Sequence, residues 1–319
     1  MVVGSYATLP AARHHAVPTL SPSDDHRPLL TSAEWAALVC AFIWAFNGLV
    51  LRTQSEKVSP AAMNTIRCGL AGLVMWMALP FDTVPLSQLS AVSAREWGML
   101  FASFSVGIAL GDTLYLVAIK EMGISRTMAL TGTFPLTTLF WQTVLLEYPF
   151  EPSLAVGGGL VVLGVVFLSR SDKATDTEIR LRYGIALALF ASLTWGFSST
   201  LLKPATANMT SLQANAIRMP LIALLVYVVR VLPSGNRRMR GIGWRSFFLV
   251  GITGVLGMGF GAYLFIYAIS QTSPAKVVTL TSSSPLFGMV MAAIFLKEPI
   301  TRWIAAGMLL CLAGVWVVI

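Results

Sequence analysis

Long apolar runs alternate with short polar breaks along almost the whole chain. Each run is close to the roughly 20 residues that a helix needs to cross a bilayer. The pattern predicts membrane-spanning helices at residues 33–51, 60–79, 97–119, 125–146, 153–169, 183–202, 211–232, 244–269, 273–296 and 302–319. The breaks carry charged or helix-breaking residues, as in RTQSEKVSP (52–60), RSDKATDTEIRLR (170–182) and LPSGNRRMRGIGWR (232–245). Such short loops leave no room for a soluble catalytic domain. Trp35, Trp97, Trp244 and Trp303 fall near predicted helix starts, where an amphipathic ring sits at headgroup level.

Composition agrees with the pattern. Hydrophobic residues make up 56% of the 319 and charged residues 11%, with a mean hydropathy of +0.75. Soluble domains carry about 25% charged residues, so this chain lacks the polar groups to cover a water-facing surface. The expected fold class is an all-α integral membrane protein. The first thirty residues depart from it: TLPAARHHAVPTLSPSDDHRPLL is rich in Pro, Ser, His and charge, which predicts a mobile tail without the charged start and apolar core of a secretory signal. His14, His15 and His26 are all the histidines, and a His pair in such a tail binds metal weakly. Cys40, Cys68 and Cys311 each fall inside an apolar run and read as small hydrophobes. No metal or cofactor is expected.

The chain repeats itself. NTIRCG (64–69) and NAIRMP (215–220) match at an offset of 151, as do Trp44 with Trp195 and Phe46 with Phe197. At an offset of 150, Gly107 and Gly111 meet Gly257 and Gly261, Pro135 meets Pro285, and Gly157 and Gly164 meet Gly307 and Gly314. Each half, 31–170 and 181–319, therefore holds five predicted helices. A unit that crosses an odd number of times ends opposite its start, so the second copy enters the membrane upside down. Ten transmembrane helices in two inverted five-helix repeats, with a binding site near the midplane between them, is the predicted architecture.

The W[AG]F of helices 1 and 6, the arginines of helices 2 and 7, GDTLYLVAIKEMGISRT (111–127), the paired T…PL segments and the endings LLEYP and LKEPIT resemble the drug/metabolite transporter superfamily, EamA type. The resemblance covers residues 33–319. It implies a secondary transporter that moves small metabolites, often outward, through a central cavity lined by both halves. It leaves the metabolite open.

Several polar residues sit inside the runs. A charge near a helix centre costs about 2.5–3.5 kcal/mol on insertion scales, so one kept there is a candidate functional group. Asp112 is the foremost: in a low-dielectric cavity it can take or release a proton as access alternates, or else it is hydrated or paired with a cation. Its repeat counterpart is Ala262. Arg67 and Arg218 either attract an anionic substrate group, with Asn64 and Asn215 one turn earlier, or satisfy carbonyls and carboxylates that hold the halves together. Their long side chains can also snorkel to the interface. In LTGTFPL and LTSSSPL a mid-run proline frees a carbonyl beside Thr131, Thr133, Thr281, Ser282, Ser283 and Ser284, which either line a cavity or bond back to their own helix. Asn47, Trp44, Tyr115, Trp141, Trp195, Tyr263 and Tyr267 complete the candidate set, the aromatics serving either a flat metabolite or packing. The glycine pairs 107/111 and 257/261 have the small-xxx-small spacing of close helix contacts.

Other function classes fit less well. No G-x-x-x-x-G-K-[ST] loop is present to hold ATP phosphates, no H-E-x-x-H occurs, and no histidine lies in a span to activate a serine. A passive solute channel is the alternative to a gradient-driven carrier, and an intramembrane enzyme is a more distant one. The expected carrier is a multi-pass protein of the inner cell membrane, acting as a monomer, with the lipid bilayer and a small-molecule substrate as partners. The net charge of +8 comes from the loops and implies no nucleic acid partner. Orientation is divided: basic loop residues such as Arg52, Lys57, Arg230, Arg240 and Arg245 favour both termini outside. The family resemblance implies both termini inside.

Overall fold

The computed structural model describes residues 30–54, 57–122, 127, 130–168, 178–235, 239–295 and 302–319. The predicted tail with its histidines, and the start of the predicted span at 125–146, lie outside these. Among the described residues every regular element is helical: α1 (Ser32–Arg52), α2 (Pro60–Ala78), α3 (Ala94–Phe104), α4 (Asp112–Met122), α5 (Phe134–Leu146), α6 (Pro152–Leu168), α7 (Glu178–Ala205), α8 (Ser211–Val226), α9 (Trp244–Thr253), α10 (Ala262–Gln271), α11 (Pro274–Thr281), α12 (Ser284–Phe295) and α13 (Arg302–Val318).

Local sequence sets several of the starts. Thr31, Ser93 and Thr210 close capping boxes with Glu34, Glu96 and Gln213, and Ser59 and Ser273 cap helices that open on Pro60 and Pro274. A Ser or Thr cap satisfies an otherwise orphaned amide and is worth about 1 kcal/mol.

Six stretches are long and apolar enough to cross a bilayer: Ser32–Leu51, Pro60–Phe81, Ala94–Tyr115, Arg182–Ala205, Ser211–Ser234 and Trp244–Gln271. Phe134–Leu146, Pro152–Phe167 and Arg302–Val318 are shorter apolar helices. The spans predicted at 125–146 and 273–296 are interrupted by turns at 132–133 and 282–283, just ahead of Pro135 and Pro285. Proline lacks an amide hydrogen and its ring collides with the preceding turn, so the helix restarts at Phe134 and Ser284. Residues 97–119 and 244–269, predicted as plain helices, are wound as π-helix in their middles, over Ser105–Gly111 and Gly254–Gly261. A π turn holds an extra residue and leaves backbone carbonyls open to other partners.

The two halves interlock. Helix α1 packs on the α9–α10 stretch, and α7 packs on the matching α3–α4 stretch of the first half. Helices α2 and α8 run antiparallel: Gly72 meets Pro220, Gly69 faces Ala223 and Trp76 Nε1 donates to Ala216 O at 2.8 Å. Helices α6 and α13 are also antiparallel, since Gly157 faces Gly314 while Gly164 faces Gly307. A Cβ on Gly314 would lie 2.6 Å from Gly157 O, which is why these positions hold no side chain. Outward faces are apolar, with Trp316 81% and Met77 68% exposed, as a lipid-facing surface requires.

Five of the polar ties between the halves lie at one end of the bundle, where α1, α8 and α11 begin, and one lies past the far end of α8, where Arg230 Nη2 donates to Thr113 Oγ1 at 2.8 Å. Glu34 pairs with Lys276, Asn208 Nδ2 donates to Glu96 Oε1, Thr210 Oγ1 to Asp82, Gln213 Nε2 to Val84 O, and Ala275 N to Gln142 Oε1.

Candidate solute-binding site

Two indoles mark the middle of the seam. Trp44 of α1 donates Nε1 to Gly257 O at 3.1 Å, in the π segment Gly254–Gly261, with its ring 5.3 Å from Phe265. Trp195 of α7 adopts the counterpart pose against the first π segment, with its ring 5.3 Å from Tyr115 and 6.0 Å from Phe134. Its Nε1 donates to a different acceptor, Asp112 Oδ1, at 2.9 Å. The cause is visible in the repeat: position 262, the counterpart of 112, is alanine and has nothing to accept with. Gly111 and Gly261 give the rings room. A Cβ would come within 2.9 Å of Trp195 Nε1 at the first and 3.0 Å of Trp44 Nε1 at the second.

Around this pair lies a set of buried polar groups with unfilled bonding capacity. Asn215 Nδ2 donates to Met258 O and Gly259 O at 3.0 and 2.9 Å, taking carbonyls that the π winding releases, while its Oδ1 has no partner. Asn47 is 2% exposed and neither atom of its amide is hydrogen-bonded. The Nε atoms of Arg67 and Arg218 are likewise buried and unpartnered. The amide of Asn47 and Nη2 of Arg67 converge on Gly257: a Cβ there would strike Asn47 and lie 3.5 Å from the guanidinium. Gly254 lets the π backbone rest against Arg67, whose carbonyl carbon would be 2.9 Å from a Cβ at that position. Arg67 and Asp112 attract one another electrostatically without a direct ion pair. Neither arginine reaches out of the bundle at Nε, so the predicted snorkelling is not the geometry found.

The remaining sequence candidates divide. Thr133 Oγ1 donates to Ser192 Oγ at 2.9 Å and Ser284 Oγ to Ala41 O at 2.9 Å, so each ties a proline break to the first helix of the other half. Thr131, Thr281 and Ser283 are buried and donate back into their own chain segments, to Thr127 O, Val277 O and Leu280 O. Trp141 donates to Leu193 O and packs on Phe140 and Phe197. Tyr263 stacks on Phe260, and the Tyr267 hydroxyl meets Ser32 at the tied end of the bundle. Asn64 is half-buried on α2, one turn before Arg67. The structure thus brings together Trp44, Asn47, Arg67, Asp112, Tyr115 and Trp195, with Asn215 and Arg218 adjoining through α8. Ser198 escaped the sequence reading. It is the repeat counterpart of Asn47, and it exchanges hydrogen bonds with Ser103 beside Gly107. Among the described residues no three metal-ligating side chains converge.

Long apolar helices enclosing unpartnered polar groups at an interhelical seam define a multi-pass membrane transporter. The chain belongs to the EamA-like transporter family, whose pattern matches residues 31–170 and again 182–319. An uncharacterized transporter of Archaeoglobus fulgidus is 24% identical over 279 residues, covering 88% of this chain and 95% of its own. The uncharacterized transporter YvbV of Bacillus subtilis is 22% identical over 290 residues, covering 88% and 90%. A solved crystal structure at 16% identity has a TM-score of 0.77 over 90% of this chain and 98% of its own, a likeness of fold.

Proposed function

We propose that the protein is a secondary carrier of ten crossings, arranged as two inverted five-helix halves, that exports small organic metabolites across the inner cell membrane. Amino acids and related solutes are the substrate class. The supporting observation is the reciprocal docking of the first helix of each half on the π segment of the other, through Trp44 at Gly257 and Trp195 at Asp112. In this reading the candidate site lies on the surface along which the halves rock, so a bound solute meets groups from both. The antiparallel contacts of α2 with α8 and of α6 with α13 support the inverted arrangement. The five polar ties at one end, against Arg230 to Thr113 at the other, fit a conformer closed at the first, as alternating access requires of one of its states.

Asp112 is the coupling group in this reading: it loads a proton from one side and returns it to the other, and Trp195 senses its charge through the shared hydrogen bond. Purified protein in liposomes, assayed for uptake of a metabolite panel with and without an imposed pH gradient, tests both parts. Uptake of no solute overturns the carrier. Gradient-driven uptake that survives in Asp112→Asn overturns the coupling role alone.

A further inference from the structure

We infer that Asn47 and Arg67 form the subsite that holds the carboxylate of the transported solute, with Asp112 facing the solute's cationic end. This rests on the carrier reading and names the part of the cargo that the site reads.

The geometry points to an anion at this place. Asn47 is almost wholly buried and both of its amide atoms lack partners, which destabilises the fold unless something fills them. Arg67 brings a fixed positive charge to the same glycine through Nη2, its Nε is buried and unpartnered, and no carboxylate pairs with it among the described residues. Donors from two helices of the first half therefore meet over Gly257, a residue of the second. That matches what a carboxylate wants: a guanidinium fork on one oxygen pair and a neutral amide donor beside it. The one intramembrane carboxylate that attracts Arg67, Asp112, is instead held by Trp195. A solute with an anionic and a cationic end satisfies both poles at once, while Trp44 and Trp195 flank its body.

The repeat distinguishes the halves at Asn47. The counterpart of Asn47 is Ser198, which is hydrogen-bonded to Ser103, and Gly107 stands where Gly257 stands. At this pair of positions the serine fills its bonding capacity and the asparagine leaves it open, while Arg218 keeps an unpartnered Nε as Arg67 does.

The test uses the full-length protein in liposomes, in a carboxylate-free sulfate buffer with and without chloride. The probes are amino acids, their carboxamides and their decarboxylated amines. Wild-type protein should move at least one amino acid and prefer it over its amide and amine by about tenfold or more, as expected for a lost charge-assisted pair. Asn47→Ala, Asn47→Ser and Arg67→Lys should each shrink that preference severalfold. Asn47→Ser copies the residue of the other half and guards against a variant that does not fold. Solute movement with no preference for the carboxylate overturns the subsite and leaves the carrier standing, as does a preference unchanged in folded Asn47→Ser. Dependence on chloride without carboxylate preference assigns the pocket to an inorganic ion and overturns the proposal. Movement of no solute overturns the carrier and the subsite together.

Discussion

Glu34 of α1 and Lys276 of α11 form an ion pair across the seam, and the same Glu34 carboxylate accepts from Thr31 N and Thr31 Oγ1 at 2.6 and 2.9 Å. One side chain thereby caps its own helix and fastens it to the other half. Glu34→Gln keeps the cap, because glutamine serves a capping box, but removes the charge pair. Weakening the tie by about 1 kcal/mol changes an open-to-closed ratio roughly fivefold. A thiol introduced at buried Ala275 should therefore react several times faster in Glu34→Gln than in the parent, read by maleimide labelling. The double exchange Glu34→Lys with Lys276→Glu should restore slow labelling.

Removing Asp112 should leave the fold largely intact. In Asp112→Ala, Trp195 can turn to a backbone carbonyl of its π segment, as Trp44 already does at Gly257. The lost charge-assisted bond, worth about 1.5–3 kcal/mol, is offset by release of a charge from the bundle interior. Melting should shift by only a few degrees, while pH-driven uptake should fall by about tenfold or more. A large fall in melting temperature would mark Asp112 as a structural residue.

Alanine at Gly314 should separate close backbone contact from mere helix chemistry. Its Cβ would sit 2.6 Å from Gly157 O and 2.9 Å from Val161 N, neither of which can step aside, so a loss of about 1–3 kcal/mol is expected. Gly159→Ala meets nothing within 4 Å and should be neutral or slightly stabilising, since alanine favours helix. Thermal unfolding in detergent compares them.

Orientation is decided by one thiol. Cys40, Cys68 and Cys311 are buried, so Arg240→Cys in the exposed loop between α8 and α9 supplies the reactive site. An impermeant maleimide applied to intact cells should label it, as both termini inside requires. Protection until the cells are broken would favour the positive-charge count instead.

Much of this organisation was readable in the chain. The offsets of 150 and 151 pair Trp44 with Trp195 and Gly107 with Gly257, and they expose Asp112 as the odd member opposite Ala262. Pro135 and Pro285 announced the breaks before α5 and α12 because proline leaves a local mark. The π segments left none: one extra residue within an apolar run changes neither composition nor hydropathy. Whether Thr281 lined a cavity or bonded back to Val277 depended on which way α11 faced, and that is decided by packing from other helices. Glu34 and Lys276 lie near helix starts in different halves, and only the tertiary fold puts them together. Asn47 was a candidate by position, but its unmet bonding capacity needed coordinates to see.

The glycine contacts between α6 and α13 form a palindrome in space: the early glycine of each helix meets the late glycine of its partner. Such a joint reads the same from either side, so the glycine pair of one helix can receive an antiparallel copy of itself. Gly157 and Gly164 of one helix would meet Gly164 and Gly157 of an antiparallel copy in the same way, so this joint by itself does not tell the two helices apart.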